Sequence, residues 1–483
     1  MVKGLEEYIA IQMLIGLYVT CQAIWIRYVL EEIEFEVKKS LVVQIDNKST
    51  INLAKNPGLH GRSKHTEAIF HFLMEKLLFM RINVYINTCN DVLSIKTKRL
   101  KHKFCVKFSH NKPQKMASFA YNYGSVFFFV LFSFAMLDMH VANEVKAVRT
   151  LFIFGDSTFD VGTNNFINST AKANVPYYGV DFPFSIPTGR FSNGLNTADQ
   201  IAKQFGYQKS PPPFLALDKS QYSSKLNILR GANFASAGSG ILRQTGHKQW
   251  QEVVFLEKQV QQFAVVRESI NKLLGESKAS NFVSKAVFLI STGSNDLFDF
   301  ASNKSDIHFG VEEYFSILQL NYFSHIRNLY ELGARKFGIL SVPPIGCCPA
   351  VTSSNGGNCV KPLNDFAIAF YSATQAVLQK LSLEFEDFEY SLANTFAMTT
   401  ALLNTPSTFG LNDTKSACCG IGKFNGEGPC VKAFNANLCP NRDDYLFWDW
   451  FHPTEKASEL AAETLFTGGK EFVLPKNFSQ LNC

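Results

Sequence analysis

The segment LFIFGDSTFDVGTNN, residues 151–165, contains the clearest fold signal of this chain. Four large apolar residues, 151–154, run directly into a Gly-Asp-Ser turn and then into a loop rich in Gly, Asn and Asp. A short, fully apolar run is typical of a parallel strand that is covered on both faces. In open sheets of such strands, ligands bind beyond the carboxyl ends. The pattern therefore predicts a buried strand that delivers Ser157 to a functional edge.

Two further apolar runs follow, KAVFLIST at 285–292 and RKFGILSV at 335–342. Long amphipathic segments accompany them, at 311–333 and 363–385, and these have helical periodicity. Strands that alternate with helices predict an α/β layered domain with a mostly parallel sheet. We therefore expect the functional side chains at the carboxyl ends of the strands.

Small and polar residues stand at other strand ends. The run at 285–292 leads into Gly-Ser-Asn-Asp, which contains Asn295, and the segment GANFASAGSGI at 231–241 is a turn that contains Gly238 and Gly240. Backbone N–H groups at tight turns and an Asn amide are suitable donors to a developing oxyanion, each contributing about 3 kcal/mol in well-studied enzymes. The alternative to an oxyanion donor is that Asn295 and Asp296 are simply a pair of turn residues.

A histidine near the C-terminus completes a catalytic set. In FWDWFHPTEKASELAAETLFTGG, Asp449 precedes His452 by three residues, Pro453 is expected at the first position of a helix, and two glycines end that helix. A serine hydroxyl needs a base, and a carboxylate fixes the tautomer of that base. The alternatives are a helix cap at Ser157 and a surface Asp–His pair. The remaining histidines of this part, His247, His308 and His325, are interpreted as structural or solvated.

Composition limits the classes of function. The chain has 483 residues, of which 46% are hydrophobic and 18% charged, so it can bury a large core. Residues 1–115 carry 18 basic and 10 acidic side chains, whereas residues 116–483 carry 29 and 31. The positive net charge belongs to the first quarter alone. The main part of the chain therefore offers no electrostatic reason to bind nucleic acid.

Cysteines cluster late in the chain. None occurs from 116 to 346, and no CxxC pair exists, so a zinc site is not indicated and no metal or cofactor is expected. The late cysteines are predicted to form local disulfides: Cys347 or Cys348 with Cys359, and Cys418, Cys419, Cys430 and Cys439 as two bridges in any of three pairings. Disulfides imply an oxidising compartment.

Export of the chain to an oxidising compartment requires a targeting segment. The apolar run 126–137 follows Met116 and has 12 residues, which suits a signal peptide and is short for a membrane span of about 20. Residues 116–147 are therefore predicted to be signal-peptide-like, with the functional product starting at Met116, secreted, and without a stable transmembrane anchor. A buried core helix is the alternative. Four Asn-x-Ser/Thr sequons agree with secretion: Asn168, Asn303, Asn412 and Asn477.

Residues 1–115 contain the segments EEYIA, AIW and QIDNKSTINLAKNP, followed by RSKHTE, in this order. With these segments the region resembles the end of the RNase H domain of copia-type retrotransposon polyproteins. Glu7 and Asp46 match two magnesium-binding carboxylates, but the first strand with its Asp is missing and another family Asp falls at Ser94. An incomplete carboxylate set should not support two-metal catalysis. We interpret the segment as a nonfunctional, incomplete RNase H-like α/β fragment, with His60, His65 and His71 on helix surfaces.

Residues 149–476 contain four ordered blocks: FGDSTFDVGTNN, PTGRFSNGLNTADQIA with RGANFASAGSGI, ISTGSND and FWDWFHPTEKA. In these blocks and their order the region resembles the plant-type GDSL esterases/lipases of the SGNH hydrolase superfamily. The resemblance implies a three-layer, flavodoxin-like α/β fold for a domain at 148–476, with a tail at 477–483. It implies Ser157 as nucleophile and oxyanion donor, Asn295 as side-chain donor, and Asp449 with His452 as the rest of the triad. Gly238 or Gly240 supplies the third donor, with Gly238 favoured.

Together these features predict a secreted serine hydrolase that acts on a carboxylic ester of a small molecule, lipid or polysaccharide. The alternative enzyme activity is acyl transfer to a carbohydrate or lipid hydroxyl, with the same triad in a cleft that contains less water. A nuclease based on residues 1–115 is the alternative from another class, and a catalytically silent binding protein is a third. The natural ester and the oligomeric state stay open.

Overall fold

The computed structural model describes residues 149–218, 228–302 and 310–482, and the backbone of two short strands near the N-terminus. Those two strands, β1 (Val92–Ile95) and β2 (Phe104–Lys107), form an antiparallel pair of their own. The remaining expectations for residues 1–147, including the RNase H-like fragment with Glu7, Asp46 and its histidines and the signal-like segment, lie outside the described residues. Asn303 and His308 also lie outside them.

A six-stranded sheet forms the centre of the described domain. Its strands are β3 (Leu151–Gly155), β4 (Gly231–Asn233), β5 (Val287–Ser291), β6 (Lys336–Leu340), β7 (Glu389–Ala393) and β12 (Val473–Leu474). The spatial order is β12-β7-β6-β5-β3-β4, in which only β12 runs antiparallel to its neighbour. The predicted α/β fold with a mostly parallel sheet is confirmed.

The strand order places a crevice at the end of β3. Counted along the chain, the five parallel strands stand in the order second, first, third, fourth, fifth, which is the flavodoxin-like doubly wound arrangement. The chain leaves β3 for β4 on one side and returns to β5 on the other, so the connections diverge there. Ligands bind at such a switch point in open α/β sheets, and Ser157 follows β3 directly.

Helices cover both faces of the sheet. They are α1 (Thr197–Gln204), α2 (Phe214–Asp218), α3 (His247–Trp250), α4 (Leu256–Leu274), α5 (Glu276–Ser284), α6 (Ser294–Ser302), α7 (Val311–Glu331), α8 (Pro349–Thr352), α9 (Lys361–Glu384), α10 (Thr395–Asn404) and α11 (Glu455–Thr467). Among the residues that the structure describes, no helix is long and apolar enough to cross a membrane.

Alternation along β3 divides the core into two layers. Phe152 and Phe154 pack with the helices α4, α5, α7 and α9 on one face, whereas Leu151 and Ile153 pack with α1 and α11 on the other. All four side chains are fully buried, as the continuous apolar run predicts. The predicted strands at 285–292 and 335–342 and the predicted helices at 311–333 and 363–385 are confirmed as β5, β6, α7 and α9.

The last helix begins later than the sequence predicts. Pro453 is expected at its first position, but α11 starts at Glu455, and Thr454 is the N-cap, with its side chain accepting the N–H of Ala457. The prediction at Pro453 is wrong because Pro453 forms a β-bridge with Phe447 and the N–H of Thr454 donates to the carbonyl of Leu446, so the backbone stays extended up to the N-cap. Asp449 and His452 consequently lie in the loop before this helix.

Four short strands build the region that carries this loop. They are β8 (Asp413–Ala417), β9 (Cys419–Gly420), β10 (Asn437–Leu438) and β11 (Tyr445–Phe447). β11 pairs with β8 in parallel, and β10 pairs with β9 in antiparallel fashion. The loop from Trp448 to Pro453 therefore leaves a strand that is anchored to the rest of the domain.

Candidate active site

A hydrogen-bonded turn presents Ser157 at the end of β3. The carbonyl oxygen of Asp156 accepts the N–H groups of Phe159 and Asp160, and its own N–H donates to the carbonyl of Ser291 at the end of β5. Buried Gln259 on α4 holds both backbone groups of Gly155, with Oε1 2.8 Å from the amide nitrogen and Nε2 2.9 Å from the carbonyl oxygen. Ser157 itself is half-buried, so its hydroxyl is held and still accessible.

The loop after β11 is folded around the carboxylate of Asp449. Oδ1 accepts the backbone N–H groups of Phe451 and His452, at 2.9 and 2.8 Å. The loop closes on itself because the N–H of Trp448 donates to the carbonyl of His452 at 2.7 Å. These bonds bring the imidazole of His452 over the carboxylate.

Ser157, His452 and Asp449 form one hydrogen-bonded chain. Nε2 of His452 lies 2.7 Å from Oγ of Ser157, and Nδ1 lies 2.8 Å from both carboxylate oxygens of Asp449. Asp449 is fully buried and His452 is 9% exposed. The ring of Phe191 packs against the imidazole, with centroids 4.8 Å apart. The structure thus brings together three residues that are widely separated in the sequence.

Electrostatics determines which atoms of Ser157, His452 and Asp449 carry the protons of these hydrogen bonds. Burial alone would raise the pKa of Asp449, but the charge of His452 and hydrogen bonds from His452 and Phe451 hold it below its ordinary value. An ionised carboxylate only accepts hydrogen bonds. Nδ1 of His452 therefore carries the proton, and Nε2 is left to accept the hydroxyl proton of Ser157.

The turn that contains Gly238 and Gly240 is fixed by side chains from the loop after Ser157. Oδ2 of Asp160 accepts the N–H of Ala237 at 2.9 Å, and Nδ2 of Asn164 donates to the carbonyl of Ala237 at 3.0 Å. Oδ1 of Asn164 accepts the hydroxyl of Ser236 at 2.6 Å. The nucleophile loop and this turn are therefore one hydrogen-bonded unit.

Both glycines of the turn are required by their surroundings. Gly238 has φ +81°, and an added Cβ would lie 2.5 Å from Cδ1 of Trp250. At Gly240 a Cβ would lie 2.5 Å from Oδ2 of Asp296, whose buried carboxylate accepts the N–H groups that follow the turn. Burial raises the pKa of Asp296 to about 6. Any side chain at either position would displace the turn.

Asn295, in the first turn of α6, reaches the same turn. Its Nδ2 donates to the carbonyl of Ser239 at 2.9 Å, and the hydroxyl of Ser239 donates to the carbonyl of Gly155 at 3.0 Å. Within the described ranges, the backbone N–H groups of Ser157 and Gly238 donate to no protein acceptor. The region therefore offers N–H donors beside a hydroxyl that is hydrogen-bonded to a base.

Within the part of the chain that the structure describes, three disulfides join cysteines of the C-terminal region. They are Cys347–Cys359, Cys418–Cys439 and Cys419–Cys430, which select one of the pairings that the sequence left open. The backbone N–H of Cys419 donates to the carbonyl of Trp448 at 2.8 Å, next to Asp449. Cys348 is a free, buried thiol. The two later disulfides thus brace the loop that holds Asp449 and His452.

Removal of the Cys418–Cys439 bridge should destabilise this loop. For the double variant Cys418→Ser/Cys439→Ser we expect a free energy of unfolding lower by about 3 kcal/mol, because the unfolded chain is no longer cross-linked. Denaturant unfolding followed by tryptophan fluorescence measures this loss. Cys348→Ala is the matched control, since it removes a buried thiol without a cross-link. An unchanged midpoint in the double variant would contradict the bracing role.

Several residues of the site were not identified from the sequence. Asp160 and Asn164 belong to the FDVGTNN segment, which offered the signal of polar residues in a loop after a buried strand. Tyr178 donates to Oδ2 of Asp449 at 2.8 Å, and Gln259 lies on the buried, mostly apolar face of α4. His247 and His325, interpreted as structural, contact backbone carbonyls of Gln251 and Ile241.

Among the residues that the structure describes, no group of three or more His, Cys, Asp or Glu side chains could hold a metal ion.

Comparisons with known proteins agree with this architecture. The family model of the GDSL-like lipases/acylhydrolases matches residues 151–465. GDSL esterase/lipase At4g28780 of Arabidopsis thaliana is 37% identical over 347 residues, which cover 70% of this chain and 92% of that protein. GDSL esterase/lipase LTL1 of the same plant is 37% identical over 363 residues, covering 74% and 94%. The chain therefore belongs to the GDSL-like lipase/acylhydrolase family, whose members are carboxylic ester hydrolases of the SGNH type.

Proposed function

We propose that this chain is a secreted serine esterase, which hydrolyses carboxylic esters through an acyl-enzyme on Ser157. The observation that carries the proposal is the continuous hydrogen-bonded chain from Oγ of Ser157 through the imidazole of His452 to the buried carboxylate of Asp449. This arrangement activates a hydroxyl that is otherwise a poor nucleophile. The names of the Arabidopsis relatives, esterase/lipase, agree with this class of substrate.

The reaction follows from the roles of the three side chains. Oγ of Ser157 attacks the ester carbonyl carbon while Nε2 of His452 takes the hydroxyl proton. The tetrahedral intermediate collapses, and the alcohol leaves with the proton from His452. Water then attacks the acyl-enzyme, with His452 again as base, and the carboxylic acid is released. Asp449 stays ionised and stabilises the imidazolium in both steps.

The oxyanion donors are the N–H groups of Ser157 and Gly238 and the Nδ2 amide of Asn295. Gly240 fits this role less well than Gly238. Its N–H belongs to the peptide whose carbonyl accepts from Asn295, and in a trans peptide the two groups point in opposite directions. The N–H of Gly238 instead points away from Asn164, which holds the carbonyl of that peptide. We therefore assign Gly238, together with Asn295, to the oxyanion site.

Truncation of the Asn295 side chain should slow the chemical step. For Asn295→Ala we expect kcat to fall by about 10²- to 10³-fold with KM changed little, because the donor acts mainly on the charge of the transition state. Steady-state hydrolysis of a short-chain p-nitrophenyl ester provides the measurement. Asn441→Ala, an exposed asparagine whose side chain makes no hydrogen bond among the described residues, is the control. Equal kcat values for the two variants would remove Asn295 from the oxyanion site.

The product that performs this reaction is proposed to begin at Met116, with residues 116–147 as its signal segment and residues 148–476 as the hydrolase domain. Residues 1–115 are then a nonfunctional fragment fused upstream. The disulfides of the C-terminal part support an oxidising compartment. Mass spectrometry of the mature N-terminus tests this organisation. A mature protein that retains residues 1–115 would overturn it.

Turnover of short-chain p-nitrophenyl esters, by both the full chain and the product that starts at Met116, tests the activity itself. Hydrolysis that disappears in the Ser157→Ala variant supports a serine esterase. Transfer of the acyl group to a carbohydrate or lipid hydroxyl in preference to water would instead favour the acyltransferase. Magnesium-dependent cleavage of an RNA–DNA hybrid by the full chain would revive the nuclease.

A further inference from the structure

We propose that Tyr178 is a positioning residue that fixes the carboxylate plane of Asp449 and thereby the imidazole of His452. The inference rests on the proposed function, because it assigns a role within the same hydrogen-bonded chain. Tyr178 lies 271 positions before Asp449 and outside the sequence blocks that mark the site.

The contacts of Asp449 are divided between its two oxygens. Oδ1 accepts the two backbone N–H groups of its own loop, from Phe451 and His452. Oδ2 accepts the phenolic hydroxyl of Tyr178 at 2.8 Å, and among the described residues its other donor is the imidazole of His452. Without Tyr178, Oδ2 is held only by the imidazole that the carboxylate has to orient, so the two groups can turn together about the Cβ–Cγ bond of Asp449. The bond from Tyr178 comes from outside this pair and prevents that rotation.

Tyr178 is itself held in place. It is 5% exposed, and its ring lies edge-on to the rings of Phe191 and Trp448, with centroids 5.7 and 6.2 Å apart. The same cluster contains the cysteines of the Cys418–Cys439 and Cys419–Cys430 bridges. The hydroxyl therefore cannot leave Asp449 without disturbing a packed core. The ring of Phe191 also packs against the imidazole of His452, so the same core holds both groups.

The protonation state of Tyr178 suits a permanent donor. Burial and the adjacent charge of Asp449 raise the pKa of Tyr178 well above its ordinary value. The phenol stays protonated across the working range, and Asp449, whose pKa is lowered, stays ionised. The direction of the bond, from the phenol to the carboxylate, is then the same throughout that range.

Loss of the hydroxyl should change both the rate and its pH dependence. Without this donor, Asp449 keeps more of its negative charge and stabilises the imidazolium more strongly. The acid limb of kcat/KM reports the deprotonation of the catalytic base in the free enzyme, so it should move to higher pH. The other titratable groups that face the pair are Cys348 and Asp156, with pKa values raised by burial to about 12 and about 6. Both are retained in the variant and in the control.

The test compares Tyr178→Phe with Tyr177→Phe in the full chain. Tyr177 is the neighbouring tyrosine, and its hydroxyl makes no hydrogen bond among the described residues. For Tyr178→Phe we expect kcat to fall about tenfold to a hundredfold, with KM within about twofold and the acid limb at higher pH. For Tyr177→Phe we expect all three values to match the wild type. A normal kcat or an unmoved acid limb in Tyr178→Phe would overturn the proposal.

A second variant separates positioning from a loss of folding. Incorporation of 4-aminophenylalanine at position 178 returns an N–H donor at the place of the hydroxyl, and it should restore most of kcat. Restored folding without restored kcat would overturn the role of the hydrogen bond. Ser157→Ala, measured in parallel, distinguishes failure of the proposed function from failure of the role of Tyr178. If it stays active, the proposed function is wrong, whereas an inactive Ser157→Ala beside a normal Tyr178→Phe refutes only the positioning role.

Discussion

Replacement of Ser157 by alanine is expected to lower kcat for a short-chain p-nitrophenyl ester by about 10⁴- to 10⁶-fold. The variant lacks the oxygen that is proposed to form the acyl-enzyme. Water in its place lacks the positioned bond to Nε2 of His452, which lies 2.7 Å from Oγ in the wild type. KM should change little, since a hydroxyl contributes little to binding of the ground state. Steady-state kinetics over a range of ester concentrations separates the two constants.

Ser354→Ala is the matched control for this experiment. Ser354 is exposed, and among the described residues its hydroxyl bonds only within its own turn, to the carbonyl of Val351. It should leave kcat and KM unchanged. Circular dichroism and thermal unfolding of both variants check that they are folded. A folded Ser157→Ala enzyme that keeps a tenth or more of the wild-type kcat would show that another group performs the reaction.

The Asp449→Asn variant should lose kcat by about 10⁴-fold, although it is almost isosteric. The backbone N–H groups of Phe451 and His452 will hold the amide oxygen, because they already bind Oδ1. The amide NH₂ then takes the place of Oδ2, next to Nδ1 of His452 and the hydroxyl of Tyr178, and its N–H favours Nδ1 as an acceptor. The imidazole proton moves to Nε2, so His452 presents a donor to Ser157 and cannot take its proton.

Asp443→Asn provides the comparison for that variant. Asp443 is an exposed carboxylate on the same segment, just before β11, and its replacement removes one negative charge without reaching the imidazole. Its kcat should match the wild type. If Asp449→Asn retains more than about a tenth of kcat, the ionised carboxylate is not needed to fix the tautomer, and the proton on Nδ1 of His452 is wrongly assigned.

Much of the fold follows from local sequence patterns. The apolar run 151–154 is buried on both faces because strands in a parallel sheet have helices on both sides, and this environment leaves a continuous hydrophobic signal. The helices α7 and α9 carry their own periodicity. From the sequence alone one could therefore predict that Ser157, Asn295 and His452, which stand beside strand or helix ends, lie at the same edge of the sheet.

The contacts that hold the site together leave no such local signal. Asn164 bonds to a carbonyl 73 residues away and Tyr178 to a carboxylate 271 residues away, so each requires the finished tertiary structure. The buried glutamine Gln259 resembles a solvated helix residue in the sequence, although it is fully buried against β3. The disulfide pairing was undetermined for the same reason, since four closely spaced cysteines allow three pairings and only the fold selects one.

The proposed mechanism depends above all on Ser157 as the activated nucleophile of this chain. Treatment with a fluorophosphonate, which phosphonylates activated serine hydroxyls, followed by peptide mass spectrometry, identifies that nucleophile chemically. We expect one phosphonyl group on the peptide that contains Ser157, loss of ester hydrolysis in proportion to labelling, and greatly slowed labelling in His452→Ala. Complete inactivation with the adduct on another residue, or undiminished hydrolysis after full labelling of Ser157, would contradict this mechanism.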